Sequence, residues 1–82
     1  MSTLSDLRKE QIATVIKLDD SCQGYERFRL LDLGVVPGTE IQVALNNPLK
    51  DPVAYWIRGA VIALRKEQSD KIFVDIKDGD LN

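Results

Sequence analysis

The chain has 82 residues, room for one domain and not two, and carries a formal charge of −2 from 11 basic and 13 acidic side chains. Its basic residues are scattered among acidic ones, which speaks against a phosphate-binding surface, so no nucleic-acid partner is expected. It contains no histidine and a single cysteine, Cys22, which excludes an internal disulfide and removes the commonest general base, proton shuttle and transition-metal ligand.

No apolar run approaches the roughly 20 residues of a membrane-spanning helix. The opening MSTLSDLRKEQ is polar and lacks the apolar stretch of a secretion signal. A soluble, cytoplasmic protein is expected. The whole chain, 1–82, reads as one domain with its core between about residues 4 and 76, and Lys77–Asn82 as a frayed polar tail.

In chain order, Leu4 to Glu10 reads as a helical turn or an irregular lead-in. Ile12 to Leu18 alternates and is β-branched, as a strand is, with Ile12, Thr14, Ile16 and Leu18 on one face and Ala13, Val15 and Lys17 on the other. Asp19, Asp20 and Ser21 end that strand and can cap a helix. Gln23 to Leu33 is rich in helix formers. Its apolar stripe is Tyr25, Phe28 and Leu31, widened by Leu30 and Leu33, with Glu26, Arg27, Arg29 and Asp32 on the wet side.

The stretch LLDLGVVPGTEIQV then changes direction twice. Gly34 falls where a helix ends on a left-handed residue, and Val35 is placed for the apolar contact that goes with such a stop. Pro37 and Gly38 suit the central positions of a type II turn. Glu40 to Asn46 alternates as a strand. NNPLKDP is turn chemistry. Val53 to Arg58 is a strand with Val53, Tyr55 and Ile57 inward and Trp56 outward. Gly59 punctuates, Ala60 to Leu64 is a further strand, Arg65 to Asp70 a single helical turn, and Ile72 to Ile76 a last strand. About five short strands and one helix make a mainly β chain, and in so small a chain they suggest a closed or nearly closed barrel, which removes exposed edges.

The functional groups weigh towards binding. Gly34 and Gly38 follow a helix, with no Lys-Ser or Lys-Thr pair after them, so they serve a cap and a turn rather than a phosphate. Cys22 alone makes a poor transition-metal site. Asp19 and Asp20 are too few for a hard cation. The hydroxyls have no histidine, so no serine triad can form. No catalysis and no cofactor are expected. Trp56 either meets a partner or is half buried by the curl of a small barrel.

RLLDLGVVPGTEIQV followed by NNPLKDPVAYWIRGAVIALRKEQSDKIFV resembles the FeoA family, ferrous iron transport protein A, over about Leu4 to Val74. The helix ending in Gly34, the Pro37–Gly38 turn, the loop before Asp51 and Pro52 and the Arg58–Gly59 pair match in order. The chain departs from the family pattern at Lys9-Glu10, where many members have Pro-Gly, and at Trp56, where a small, polar or charged residue is commoner. The resemblance implies an SH3-like small barrel with one inserted helix, a fold also found in iron-dependent repressors. It implies a cytoplasmic accessory of bacterial ferrous iron uptake that acts with the membrane transporter FeoB and reaches the membrane only through it. A metal-responsive regulatory module is the alternative. Family members are often associated with transition-metal binding, for which the sequence supplies no ligand set. A monomer is expected. The candidate contact surface is Leu30, Leu33, Val35, Asn47, Leu49, Lys50, Asp51 and Trp56, with Gly34, Pro37, Gly38 and Gly59 as structural turns.

Overall fold

The computed structural model describes residues 1–44 and 51–79. In chain order it has β1 (Ser2–Thr3), a 3-10 turn (Leu4–Asp6), β2 (Gln11–Leu18), α1 (Gly24–Asp32), β3 (Glu40–Val43), β4 (Val53–Ile57), β5 (Ala60–Leu64), α2 (Lys66–Ser69) and β6 (Ile72–Asp78). The strands form one antiparallel six-stranded sheet in the order β1-β6-β2-β3-β4-β5. The sheet curls around a core of Leu4, Ala13, Val15, Leu18, Leu30, Val35, Ile41, Tyr55, Ile57, Leu64, Ile72 and Val74. The 3-10 turn that follows β1 touches α2, which follows β5: the Ser5 hydroxyl donates to the Asp70 carboxylate, and Lys66 Nζ pairs with the same carboxylate at 3.1 Å.

Two sequence expectations change in β2 and at the tail. The inward face of β2 is Ala13 and Val15, then Leu18, because a bulge between Val15 and Lys17 resets the alternation, brings Leu18 inward and turns Lys17 out, so that Leu18 no longer shares a face with the exposed Ile16. The bulge sits where the Pro37–Gly38 turn lands on the strand. Val15 donates to Thr39 O and accepts from Gly38 N, both at 2.8 Å. Lys77 and Asp78 are not tail but strand, paired with Ile12 and Gln11, and Gly79 N donates to Glu10 O at 2.8 Å. Residues 80–82 lie outside the described residues, as do Leu45 and Asn46 of the expected third strand.

The end of α1 is built as its residues predict. Val35 N donates to Leu30 O and Gly34 N to Leu31 O, each at 3.0 Å, which is the Schellman pair of bonds around a left-handed Gly34 at φ 101°. Leu30 and Val35 are both buried and supply the apolar contact of that motif. Thr39 N donates to Val36 O at 3.0 Å across Pro37 and Gly38, and Gly38 has φ 93°, as a type II turn requires. Thr39 Oγ1 donates to Gly34 O at 2.8 Å and ties turn to cap.

Gly34 has a second reason to be glycine. Arg58 crosses over it so closely that a Cβ there would lie 2.0 Å from Arg58 Cδ and 2.8 Å from Cγ. Arg58 and Gly59 form the two-residue turn of the β4–β5 hairpin, with φ 49° and 82°, the left-handed pair of a type I′ turn. The hairpin tip is thus laid on the end of the helix.

Gly34→Ala should therefore cost about 2–3 kcal/mol, from backbone strain plus the clash, whereas Gly38→Ala, with open space around it, should cost about 1 kcal/mol. Urea unfolding of the two variants measures both. Adding Arg58→Ala to Gly34→Ala should recover part of the loss; a strictly additive double variant would contradict the packing described.

The seam between 3-10 turn and α2 makes stability depend on acid. Hydrogen bonds from Ser5 first, and then from Lys66, hold the Asp70 carboxyl below its ordinary pKa of 3.8. A carboxyl depressed in the folded state contributes fully above its unfolded pKa and loses that contribution as pH falls through the folded value. Denaturant midpoints taken between about pH 5 and pH 2 should fall less steeply for Ser5→Ala than for the wild type.

Candidate docking surface

α1 lies against the sheet with the opposite phase to the one its hydrophobic pattern suggests. Tyr25 is 80% exposed, Phe28 70% and Leu31 39%, while Leu30 is 1% exposed. Of the expected stripe, Tyr25, Phe28 and Leu31 thus face out, and only its flank, Leu30 with the half-buried Leu33, faces the core. Two of the residues assigned to the wet side turn towards the body: Glu26 accepts from Lys71 Nζ at 3.0 Å, and Arg27 Nη1 donates to Cys22 O at 3.1 Å. The physical cause is anchoring at both ends. Cys22 just before the helix and Val35 just after it are fully buried, and between them the Schellman cap commits Leu30 to the core. A nine-residue helix held at both ends has no freedom to rotate.

The helix start also differs from expectation. Gln23 is the N-cap, with no side-chain capping bond, and Asp19 instead accepts from Ser21 N at 2.8 Å in a turn of its own. That bond comes first among the causes that keep the Asp19 carboxyl below its ordinary value.

On the outer face of the sheet, Trp56 and Val61 stand directly opposite each other on β4 and β5, each 46% exposed. Gln42 flanks Trp56 from β3. Trp56 is thus half covered by its own sheet and half open to solvent.

The expected contact residues divide. Leu30 and Val35 are corrected to core: they are buried and offer no surface. Leu33 is the half-buried C-cap of α1. Asp51 is exposed, but its Oδ1 accepts from Lys66 N at 2.8 Å and so caps α2. Asn47, Leu49 and Lys50 lie outside the described residues. Gly34, Pro37, Gly38 and Gly59 stand in the cap and turns described above. Sequence reasoning missed Tyr25, Phe28 and Leu31 as surface. Their helical spacing was seen, and a signal for their outward phase was present in the cap, since the apolar partner of Val35 in such a cap must be Leu30.

As for chemistry, Cys22 is buried, and burial pushes its thiol up, with the Glu26 carboxylate adding to the effect. Among the described residues no three His, Cys, Asp or Glu side chains come together as a metal site. A cavity of about 230 Å³ at the seam is lined by Ser5, Val53, Tyr55, Lys66 and Ser69. Burial raises the Tyr55 phenol there, so the lining consists of un-ionised hydroxyls and a lysine already paired with Asp70. What the arrangement offers is shape and apolar area: an aromatic helix face and a Trp–Val pair on the sheet.

Comparison with known proteins identifies the family. The model of the FeoA domain matches residues 2–76. A curated relative from Porphyromonas gingivalis, a fusion of Fe(2+) transport protein A with the Fe(2+) transporter FeoB, is 36% identical over 73 residues, which is 89% of this chain and 8% of the fusion. The solution structure of iron(II) transport protein A from Clostridium thermocellum superposes with a TM-score of 0.81 at 33% identity, over 92% of this chain and 45% of that one. The zinc-complexed crystal structure of FeoA from Stenotrophomonas maltophilia, described as a prokaryotic SH3 domain protein, gives 0.78 at 25% identity, over 95% and 98%. This chain thus spans a small part of the fusion and under half of the clostridial chain. The match over nearly its whole length places it, SH3-like fold included, in the FeoA family.

Proposed function

We propose that this chain is a non-enzymatic accessory of bacterial ferrous iron uptake, a single domain acting in the cytoplasm by contact with the cytoplasmic part of a FeoB-type transporter. The observation that carries the reading is the relative in which the two proteins are one polypeptide. A tether of that kind holds two modules at high effective concentration, which is useful where they must meet. The S. maltophilia homologue is described as possibly an activating factor for ferrous iron transport, which supports the same role. The absence of histidine from the sequence supports a binding role over catalysis.

The surface assigned to the contact is the outward face of α1, Tyr25, Phe28 and Leu31, with Leu33 beside it and Trp56 on the sheet. Leu49 and its neighbours Asn47, Lys50 and Asp51 remain candidates from the sequence. Large aromatic side chains held outward on a rigid helix lose little entropy on binding and supply most of the area of a small interface.

Replacing Tyr25 and Phe28 together by Ala should weaken binding to the isolated cytoplasmic part of the transporter by tenfold or more, ~2 kcal/mol, as for interface anchors. The same variant should keep its unfolding free energy within about 0.5–1 kcal/mol, since both side chains are exposed. Leu30→Ala should do the reverse, losing about 3 kcal/mol of stability by opening a core cavity. The reading fails if the wild-type chain retains no transporter fragment and ferrous iron uptake is normal in cells lacking it.

A further inference from the structure

β5 is the last strand of the sheet on its side, and among the described residues nothing pairs with its outer edge. Its sequence is Ala60-Val61-Ile62-Ala63-Leu64, without a charge or a proline, and its register with β4 is regular from end to end. Edge strands are normally blunted by a lysine, a proline, a bulge or a cover. This one carries none of the first three within it. Next to a two-residue turn the flanking residues Ile57 and Ala60 form the hydrogen-bonded pair. Ala60, Ile62 and Leu64 therefore direct their N–H and C=O groups to β4, while Val61 and Ala63 direct theirs away from it.

We propose that this edge is a strand-addition site for an extended segment of another protein, apolar and β-branched in the middle and acidic at both ends. The backbone of Val61 and Ala63 offers two donors and two acceptors, enough to seat a short antiparallel strand. The side chains opposite Val61 and Ala63 would extend the outward row Gln42, Trp56, Val61 by one position, where a β-branched residue packs best. The ends are set by charge. Arg58 stands in the turn before β5 and Arg65 directly after it. Among the described residues neither has a carboxylate partner, whereas Lys66, which follows, is already paired with Asp70.

The same charges decide between a foreign strand and a second copy. Two β5 strands paired about a two-fold axis at Ile62 would set Val61 against Ala63 with matching hydrogen bonds. That pairing would also bring the unpaired Arg58 of each copy close to the other copy's Arg65, at both ends. Like charges placed so oppose pairing, and acidic ends favour it. The proposal does not rest on the transporter reading: it shares only Trp56 with that surface, lies on the edge of β5 rather than on α1, and is a backbone-paired contact.

The test uses the full chain and a blocked nine-residue peptide, Glu-Asp-Thr-Val-Thr-Val-Thr-Asp-Glu, against the same peptide with lysines at both ends. Amide NMR should show shifts and slowed exchange at Val61 and Ala63 with the acidic peptide. The lysine-ended peptide should bind about tenfold more weakly. Arg65→Glu should reverse that preference while leaving the fold intact. Ala63→Pro, which removes one outward N–H and none to β4, should weaken binding by about tenfold. Equal affinity for the two peptides, perturbations centred on Tyr25 and Phe28, or no binding at millimolar peptide would each overturn the proposal. So would concentration-dependent protection of Val61 and Ala63 without any peptide, which would name a second copy as the occupant.

Discussion

The rest of the molecule hangs on one close contact: the Arg58 side chain lying on the bare backbone of Gly34. Gly34 is at once the left-handed stop of α1 and the floor for the hairpin tip, and any side chain there would enter the space of Arg58. From this point hydrogen bonds run outward. Gly34 O accepts from Thr39, the Pro37–Gly38 turn bonds to Val15, and Val15 stands at the bulge of β2. One helix end, one turn, one bulge and one hairpin are therefore coupled within a few residues. An 82-residue domain has little core to spare, so shared anchoring of this kind stands in for area.

That coupling sets the phase of α1, and the phase sets the surface. With Cys22 and Val35 buried at either side and Leu30 committed by the cap, the helix can hide only a narrow strip. Glu26 and Arg27 border that strip and find polar partners in Lys71 and the Cys22 carbonyl. Tyr25 and Phe28 are left in water. Exposing two aromatic side chains gains the isolated domain nothing, and a face of this kind is what a docking module presents. The sheet repeats the pattern with Trp56 and Val61, a cross-strand apolar pair on the solvent side.

The interior shows the complementary restraint. Its one thiol is buried and pushed away from the reactive thiolate, and its one buried phenol is likewise held un-ionised. Among the described residues the ionised groups whose pKa values shift, Asp19, Asp70 and Lys71, do so through turns and ion pairs that close the fold. The electrostatics therefore serve assembly.

Local chemistry was enough to read five of the six strands, though not β1 at Ser2–Thr3, the helix and its stop at Gly34, the Pro37–Gly38 turn, and the inward set Val53, Tyr55 and Ile57, because each depends on residues close in sequence. The resemblance in LLDLGVVPGTEIQV and the segments after it led to the family for the same reason: its marks are turns and caps, whose residue requirements are strict. What the sequence could not decide was orientation. The alternation of β2 gave no sign that a turn more than twenty residues later would bond to Val15 beside a bulge that brings Leu18 onto the face of Ala13 and Val15. Nor could a nine-residue stretch say which of two apolar strips faces the core, since Tyr25–Phe28–Leu31 and Leu30–Leu33 both fit a helical period. Only the tertiary contacts at Cys22, Val35, Lys71 and Arg58 settle that choice. They join residues far apart in the chain, and in doing so they separate core from contact surface.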